Sequence, residues 1–292
     1  MIVRVPASSA NLGPGFDALG MALSLVLETG PIDDADAGHA DLGSDADGQT
    51  RVPRPADVNH PTMVAFRLAG GDGPLWVRSP IPMGRGLGFS GAARVAGLVA
   101  AYAQRAGGDF SLMAITDELL LQATALEGHA DNVAASLLGG VVAVAGGRAV
   151  RVPLAVDPAV GVWIPPTTTS TEQSRGKLPN TISRDDAVFN IGRAGLLVAA
   201  LAAGDIAALR TATEDRVHQD LRFEGAQSSR RALDVALDVG AWCGWLSGSG
   251  PTVAMLCAHD RADRLVAALP AEGQAKVLRI DHEGATVTGL SR

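Results

Sequence analysis

This 292-residue sequence has few aromatic side chains, few cysteines and no cluster of basic residues. Aromatic residues make up 4% of the chain, so Ala, Val and Leu must fill most of the interior. The formal net charge is −7 and no Lys/Arg-rich run is present, so we expect no nucleic-acid partner. The two cysteines, Cys243 and Cys257, fit buried thiols in a reducing compartment better than a disulfide.

The sequence also lacks the layout of a secretory signal peptide and an apolar run that would span a membrane. We therefore expect a cytoplasmic protein with no membrane partner. Hydrophobic residues make up 47% of the chain and charged residues 19%, which is typical of a compact protein with an ample core. The length predicts about two domains.

Helical and extended patterns are mixed along the chain, which predicts an α+β fold with a boundary near residues 153–158. We expect one domain over residues 1–155 and a second over residues 156–292. Ser183 as N-cap and Gly204 as terminator delimit the clearest helix. Strands are predicted at 3–6, 22–28, 141–144, 162–164, 242–246 and 253–257, and helices at 90–105, 111–126, 132–137, 183–203 and 228–239, with Ser111 as a candidate cap of the second helix.

One segment, residues 31–56, is rich in Asp, Gly and Pro and is predicted to be an exposed loop. Residues 45–48 within it resemble part of a calcium loop. Aligning Gly48 with the glycine of such a loop places Arg54 where the bidentate Glu is required. The calcium interpretation therefore fails.

The most informative segment is the glycine-rich loop, residues 82–92. Three glycines at alternate positions, Gly84, Gly86 and Gly88, precede Ser90, a candidate N-cap, and an Ala/Val-rich helix. Glycine allows the backbone to approach a ligand closely, and a helix N-terminus adds unpaired N–H groups. The pattern predicts a phosphate-binding cradle, although its spacing is neither that of a Walker loop nor that of a dinucleotide fingerprint. The alternative is a glycine-rich turn that caps an ordinary helix.

A second unusual loop, residues 8–17, lies between two predicted strands. Asp17 is suited to bind an ammonium group, and the amide of Asn11 can both donate and accept hydrogen bonds. The alternative is a turn in which both side chains bond their own backbone.

A third group of polar residues lies at a predicted helix–helix turn, residues 127–132. The Glu127 carboxylate, with the Ser90 hydroxyl, would suit Mg²⁺ beside a bound phosphate. A helix C-terminus followed by an Asp cap is the alternative. His129 has no Cys or His at ligand spacing, which argues against zinc.

Two arginines downstream, Arg175 and Arg222, would form a carboxylate clamp if they point to one place. Thr171 lies on the same face as Arg175 if that stretch is helical. Together with Asp17 these residues would recognise a zwitterionic amino acid. Individually, each arginine is better explained as a surface charge. Residues 247–250 form a further glycine loop, either a second wall of the site or a hairpin turn.

Taken in order, these segments resemble the signature motifs of the GHMP kinase superfamily and, within it, of homoserine kinases. The matching segments are 9–17, 82–93, 127–132 with 137–140, 187–190, 215–219 and 246–252. The resemblance implies a two-domain GHMP kinase fold, with an N-terminal domain like ribosomal protein S5 domain 2 and a ferredoxin-like C-terminal domain. It also implies a homodimer.

The implied activity is ATP-dependent phosphorylation of the L-homoserine hydroxyl, giving O-phospho-L-homoserine in threonine biosynthesis. Asn132 and Arg175 would be the catalytic residues, and Ser90 and Glu127 would hold Mg²⁺. The implied amino-acid site contains Asn11, Asp17, His129, Thr171, Arg175 and Arg222. The implied ATP site contains Pro82, Gly84, Arg85, Gly86, Leu87, Gly88, Phe89, Ser90, Gly91 and Ala92.

Three features depart from the family pattern. Phe89 replaces a serine of the phosphate loop, Gly91 replaces an alanine, and the region that helps to hold adenine in relatives is short and acidic. Two alternative functions follow from these departures. One is a GHMP kinase for another small hydroxy or amino acid, and the other is a pseudokinase that binds a nucleotide or an amino acid without catalysis.

Overall fold

The computed structural model describes residues 1–32, 53–107 and 110–290, and the side chains of Thr171 and Gln173 are not included in the description. The rejected calcium loop and most of the predicted exposed loop lie outside the described residues. The described residues form two antiparallel sheets with helices packed against them.

The first sheet is built mainly from the N-terminal half of the chain. Its two long strands, β1 and β2, pair with a register shift between Pro6 and Ala7, as expected where a proline cannot donate to the ladder. The strands of this sheet are β1 (Ile2–Ala10), β2 (Leu19–Pro31), β3 (Arg54–Pro55), β4 (Leu75–Arg78), β5 (Val141–Ala145), β6 (Arg148–Val152) and β11 (Thr286–Thr288). The last of them comes from the C-terminus and pairs with β1.

Four helices accompany the first sheet: α1 (Pro61–Leu68), α2 (Phe89–Ala106), α3 (Thr116–Glu127) and α4 (Ala130–Leu138). Helix α2 is rich in alanine and buries most of its length, which places the glycine-rich loop directly above the core. Its Gly97 lies against α1, where an added Cβ would be 2.1 Å from the Thr62 carbonyl oxygen. Small residues therefore set the close approach of the two helices.

The second sheet has the order β10–β7–β9–β8 among the described strands. Its strands are β7 (Ala159–Ile164), β8 (Cys243–Leu246), β9 (Val253–Cys257) and β10 (Gln274–Leu278). The accompanying helices are α5 (Thr171–Gly176), α6 (Arg184–Ala203), α7 (Ile206–Ala212), α8 (Gln219–Glu224), α9 (Gln227–Asp238) and α10 (Ala262–Ala268). Both cysteines are free and buried, and burial raises the pKa of the Cys243 thiol to about 12.

Most of the predicted elements are present, with two corrections to the predicted caps. Ser111 does not cap α3, because a 3₁₀ turn, Met113–Ile115, intervenes before the helix begins at Thr116. Ser90 lies within α2, whose N-cap is Gly88 in the left-handed region. The predicted cap of α6 is present, since the Ser183 hydroxyl accepts from the Asp186 N–H.

Helix α6 is, within the described part of the chain, the one helix that is long and apolar enough by length and composition to cross a membrane. No such run was expected from the sequence. The helix contains Arg193, which is paired with Glu214, and the buried Asn190, whose amide donates to the Pro14 carbonyl and to Asp215. These contacts connect α6 to the N-terminal loop.

Candidate active site

Four loops from both sheets meet around one cavity: the N-terminal loop 8–17, the glycine-rich loop 82–92, the turn 127–132 and the loop 247–251. The predicted site residues that line it are Asn11, Asp17, Pro82, Gly84, Arg85, Gly86, Leu87, Gly88, Phe89, Ser90, Glu127, His129, Asn132, Arg175 and Arg222. Gly91 and Ala92 do not line it, and the Thr171 side chain lies outside the described residues. The loop 247–251 contributes Gly248 and Ser249 and is thus a wall of the site as well as a β8–β9 connection.

The glycine-rich loop requires glycine at two positions for steric reasons. An added Cβ would lie 2.2 Å from the Ser247 carbonyl oxygen at Gly86 and 1.9 Å from the Ser8 hydroxyl oxygen at Gly88. Both residues also have positive φ. The loop leads directly into α2, whose first N–H groups have no intrahelical acceptor. Because no side chain caps this helix, its N-terminus can bind an anion.

Hydrogen bonds among hydroxyl groups connect the loops. Ser247 donates to the Gly86 carbonyl oxygen at 2.6 Å, and its hydroxyl lies 2.8 Å from that of Ser9. The indole of Trp245 donates to the same Ser9 oxygen. The N-terminal loop, the glycine-rich loop and the β8–β9 loop therefore form one connected framework.

The predicted metal ligands lie together. The Ser90 hydroxyl donates to Glu127 at 2.8 Å. The guanidinium of Arg94 donates to the Ser90 oxygen and forms an ion pair with Glu127. A hydroxyl and a carboxylate are hard oxygen donors of the kind that Mg²⁺ prefers, and Arg94 shows that the pair attracts a cation.

A second charged group lines the same cavity and adjoins the first, since His129 Nδ1 lies 3.8 Å from Glu127 Oε1; we call this group the amino-acid end (Asp17, His129, Arg175 and Arg222). Arg175 forms an ion pair with Asp17, and its Nε donates to His129 Nε2 at 3.0 Å. Burial first, and then the Arg175 cation, lower the pKa of His129. His129 is therefore a neutral acceptor in this arrangement. The guanidinium carbons of Arg175 and Arg222 both lie within 5.3 Å of the centroid of the Phe16 ring.

Arg222 is buried and held by its neighbours. It donates to the Gly248 carbonyl oxygen at 2.9 Å and lies 3.2 Å from His218 Nδ1. His218 Nε2 lies 2.8 Å from the Gly13 carbonyl, which can only accept, so Nε2 carries the proton and Nδ1 accepts from Arg222. Burial, followed by repulsion from Arg175, lowers the pKa of Arg222 to about 10. Its Nε has no hydrogen-bond partner in the described structure.

Three residues of the N-terminal loop have positive φ: Asn11, Leu12 and Asp17. The Asn11 amide donates to the Gly248 carbonyl and accepts from the Asp17 N–H. The alternative of a local turn is thus partly correct for Asn11, because its side chain does bond the loop backbone. Asp17, by contrast, directs its carboxylate to Arg175.

Asn132 lies between the two ends of the cavity. Its Oδ1 accepts from the Ser8 hydroxyl at 2.8 Å, and Gly88 of the glycine-rich loop lies against the same oxygen. Its backbone N–H donates to Asp131 Oδ1. The side chain is therefore fixed beside the loop that would carry a phosphate.

Comparisons with known proteins identify the family. The model of the GHMP kinase N-terminal domain matches residues 62–140, and the model of the C-terminal domain matches residues 197–275. The homoserine kinase of Streptomyces avermitilis is 43% identical, with 99% of this chain and 96% of that protein covered. The chain belongs to the homoserine kinase family of GHMP kinases.

Solved structures support this assignment. The crystal structure of homoserine kinase from Cytophaga hutchinsonii superposes with a TM-score of 0.80 at 25% identity, covering 99% of this chain and 97% of the other. A putative homoserine kinase from Listeria monocytogenes gives 0.74 at 30% identity, covering 98% of each chain. The predicted GHMP kinase fold is confirmed. The division at residue 155 stays a prediction, although β11 from the C-terminal part lies in the first sheet.

Some residues of this homoserine kinase family site were not anticipated from the sequence. Arg94 and Phe16 were not singled out, and Asp131 was considered only as a cap of α4, whose N-cap is His129. All three contact or line the cavity. Phe16 and Asp131 lie inside recognised motifs, so their proximity to the site could have been predicted from the sequence. Arg94 is one turn after Ser90 on α2, and the i, i+4 spacing was its only signal.

Proposed function

We propose that this protein transfers the γ-phosphoryl group of ATP to the hydroxyl of L-homoserine, giving O-phospho-L-homoserine. The observation that carries the proposal is the placement of a charged amino-acid end (Asp17, Arg175 and Arg222) in the same cavity as the glycine-rich loop. Two relatives from Streptomyces species, both homoserine kinases by name, point to the same substrate.

The amino-acid end is charged in a way that complements a zwitterion. The guanidinium groups of Arg175 and Arg222 both lie near the Phe16 ring, and both would bind the substrate carboxylate. Asp17 would bind the ammonium group. The present Asp17–Arg175 ion pair would then be exchanged for contacts with the two ends of the substrate.

ATP would lie with its phosphates along the glycine-rich loop and the N-terminus of α2. Phe89 keeps its backbone N–H at the start of this helix, and its ring packs partly into the core, edge to face with His60. Ser90 and Glu127 would hold Mg²⁺, which supplies charge neutralisation for the phosphates. The oxygen donors fit this ion, with Arg94 beside them.

Catalysis would depend on positioning and charge stabilisation. The amide of Asn132 lies beside Gly88 and would orient the reacting hydroxyl or a phosphate oxygen. The backbone N–H groups of the loop would stabilise the negative charge on the transferred group. Arg175 would keep the substrate in place through its carboxylate.

We also propose a cytoplasmic homodimer. The two free buried cysteines support a reducing compartment. On α6, Val188 and Ile191 are one turn apart and are 63% and 72% exposed, which is unusual for large apolar side chains on one helix face. This exposed α6 face would contact the same face of a second copy around a twofold axis.

Replacing Arg175 tests the amino-acid end. Arg175→Ala is expected to raise the KM for homoserine by on the order of 10- to 100-fold, because a charge-assisted contact to the carboxylate is lost. The KM for ATP should change little. Arg261→Ala, at an exposed arginine that pairs with its neighbour Asp260 in the described part of the chain, is the matched control. An unchanged KM for homoserine in Arg175→Ala would mean that Arg175 does not bind the substrate.

A panel of hydroxylated acceptors tests the substrate itself. Homoserine should give the highest kcat/KM among small hydroxy acids, amino alcohols and sugars. A different acceptor ranking first would favour the alternative kinase, for which the Phe89 ring in the cavity wall is the motivating observation.

A further inference from the structure

Arg94 is a charged residue beside the cavity to which the proposed function assigns no role. It lies one turn after Ser90 on α2, and its guanidinium donates to the Ser90 hydroxyl oxygen at 2.7 Å and forms an ion pair with Glu127. The Ser90 hydroxyl donates in turn to the same carboxylate oxygen of Glu127, Oε2, at 2.8 Å. The guanidinium therefore contacts both residues that would hold Mg²⁺.

These contacts leave part of the Ser90–Glu127 pair open to the cavity. Ser90 and Glu127 line the cavity whereas Arg94 does not, so the guanidinium reaches the pair from outside the cavity. Both contacts to Glu127 use Oε2, and Oε1 lies 3.8 Å from His129 Nδ1. A hydroxyl oxygen has two lone pairs, of which Arg94 uses one at Ser90. Arg94 can therefore stay in place when the pair binds a metal ion.

The charges around the pair do not favour a free cation. Arg94 neutralises Glu127, which is the one carboxylate of the pair. The cavity lining as a whole holds three carboxylates and three guanidinium groups: Asp17, Glu127, Asp131, Arg85, Arg175 and Arg222. Among the residues that the structure describes, no group of three or more His, Cys, Asp or Glu side chains is placed to hold a metal ion. Because Mg²⁺ gives up its water reluctantly, it is usually bound by one or two carboxylates together with substrate phosphates.

We infer that Arg94 is an internal counter-ion of Glu127 that lowers the affinity of Ser90 and Glu127 for a free divalent cation, so that the pair binds the ion only together with nucleotide phosphates. This inference rests on the proposed function, which assigns Mg²⁺ to the pair, and adds a positioning residue that controls when the pair binds it. The same contacts hold the Ser90 hydroxyl and the Glu127 carboxylate in one geometry before the nucleotide arrives.

The counter-ion role and a purely structural role predict changes of opposite sign. If Arg94 served only to join α2 to α3, its removal would release the Glu127 side chain and leave the affinity for metal unchanged or lower. If Arg94 is a counter-ion, removal of its charge leaves a carboxylate that is no longer neutralised, and the affinity for metal rises. The affinity of the nucleotide-free protein for a divalent cation therefore distinguishes the two roles.

The experiment titrates the full-length protein with Mn²⁺ in the absence of nucleotide and follows the electron paramagnetic resonance signal of the free ion. Mn²⁺ takes the same oxygen ligands as Mg²⁺. Arg94→Gln removes the charge and keeps an N–H donor, and its dissociation constant for Mn²⁺ should be at least about 10-fold lower than that of the wild type. Arg94→Lys keeps the charge and should resemble the wild type. Arg105→Gln, at an arginine of α2 that donates to the Ala69 carbonyl outside the cavity, is the matched control and should also resemble it.

Two further variants make the result independent of one substitution. Arg94→Met also lacks the charge and should show the same gain in affinity as Arg94→Gln. A double variant that combines Arg94→Gln with Glu127→Gln should lose the gain, because the bound ion would use the Glu127 carboxylate. Thermal unfolding gives a second readout: Mn²⁺ should raise the Tm of Arg94→Gln at concentrations that leave the wild-type Tm unchanged.

Equal or weaker Mn²⁺ binding by both charge-free variants would overturn the inference. A gain in affinity that survives in the double variant would overturn it as well, because the ion would then bind elsewhere. These titrations use the metal ion alone, so they decide the role of Arg94 whether or not the protein phosphorylates homoserine. The proposed function fails separately, if the wild-type protein forms no O-phospho-L-homoserine while the Mn²⁺ titrations give the expected pattern.

Discussion

At the scale of single residues, the site concentrates arrangements that the rest of the fold avoids. Asn11, Leu12 and Asp17 have positive φ, and their conformation is maintained by hydrogen bonds across the loop. Asp131 and Arg222 keep unpartnered polar atoms inside the protein. Such arrangements cost stability and are typical of functional sites.

The stability cost of Asp131 should depend on pH. Burial raises its pKa to about 6 in the folded protein, from 3.8 in a model compound. Between these values the folded state holds a proton that the unfolded state has released, so the free energy of unfolding falls as pH rises. Well below pH 4 the carboxyl is neutral in both states and this contribution disappears.

Asp131→Asn should therefore raise the free energy of unfolding of the unliganded protein by on the order of 3 kcal/mol more at pH 8 than at pH 4. Urea denaturation of both proteins across this pH range measures the difference. A difference in unfolding free energy that does not vary with pH would contradict the assigned burial of the charge.

At the scale of elements, the two departures in the glycine-rich loop differ in their consequences. The Phe89 ring packs against the core and His60, while its N–H remains at the helix start. Gly91 has helical backbone geometry, and an added Cβ would lie 3.4 Å from Asn132 Cβ, an ordinary contact. Gly97 on the same helix has no such space.

A pair of alanine substitutions on α2 separates helix propensity from packing. Gly91→Ala is expected to increase the free energy of unfolding by about 0.5–1 kcal/mol, because alanine loses less backbone entropy in a helix. Gly97→Ala gains the same propensity but places a methyl group 2.1 Å from the Thr62 carbonyl oxygen, so it should be destabilising. Thermal or urea unfolding compares them. Equal effects of the two substitutions would mean that α1 does not constrain α2 as described.

How far the elements can be predicted depends on whether their signals are local. Helix α6 was predicted with its ends because Ser183 and Gly204 are local caps. The start of α3 was predicted too early because Ser111 has the residue type of a cap but precedes a 3₁₀ turn. Strand β11 has three residues and no periodicity to detect, so its return to β1 appears only in three dimensions.

The same distinction applies to the site. The glycine-rich loop, Asp17, Glu127 and Arg175 could be identified because they lie in motifs of characteristic composition. The unpartnered oxygen of Asp131 could not be identified from the sequence, because it depends on whether the surrounding loops place a hydrogen-bond donor beside it. The ion pair of Arg94 with Glu127 also depends on the packing of α2 beside α3. This packing cannot be predicted from the types of the two residues.

At the scale of the whole molecule, the active site requires both sheets. Residues from β1 and β8 meet through Ser9 and Trp245, and the C-terminal strand pairs with β1. The exposed face of α6 lies outside this junction but is connected to it through Asn190. A change on that face should alter assembly while leaving the site intact.

Ile191→Glu tests the proposed homodimer. The substitution places a charge in the apolar contact, so light scattering coupled to gel filtration should show a monomer for the variant and a dimer for the wild type. Ile2→Glu, at another exposed isoleucine, is the control and should remain dimeric. A monomeric wild-type protein, or a dimeric Ile191→Glu, would contradict the assignment of this face.

The central claim is that the cavity transfers phosphate from ATP to homoserine. The most direct measurement is ADP release by the purified protein with Mg²⁺ and ATP, with and without L-homoserine, followed by mass spectrometric identification of the product. We expect homoserine-dependent release at a rate on the order of 1–100 s⁻¹, with O-phospho-L-homoserine as the product. ADP release that homoserine does not stimulate, or a product other than O-phospho-L-homoserine, would contradict it.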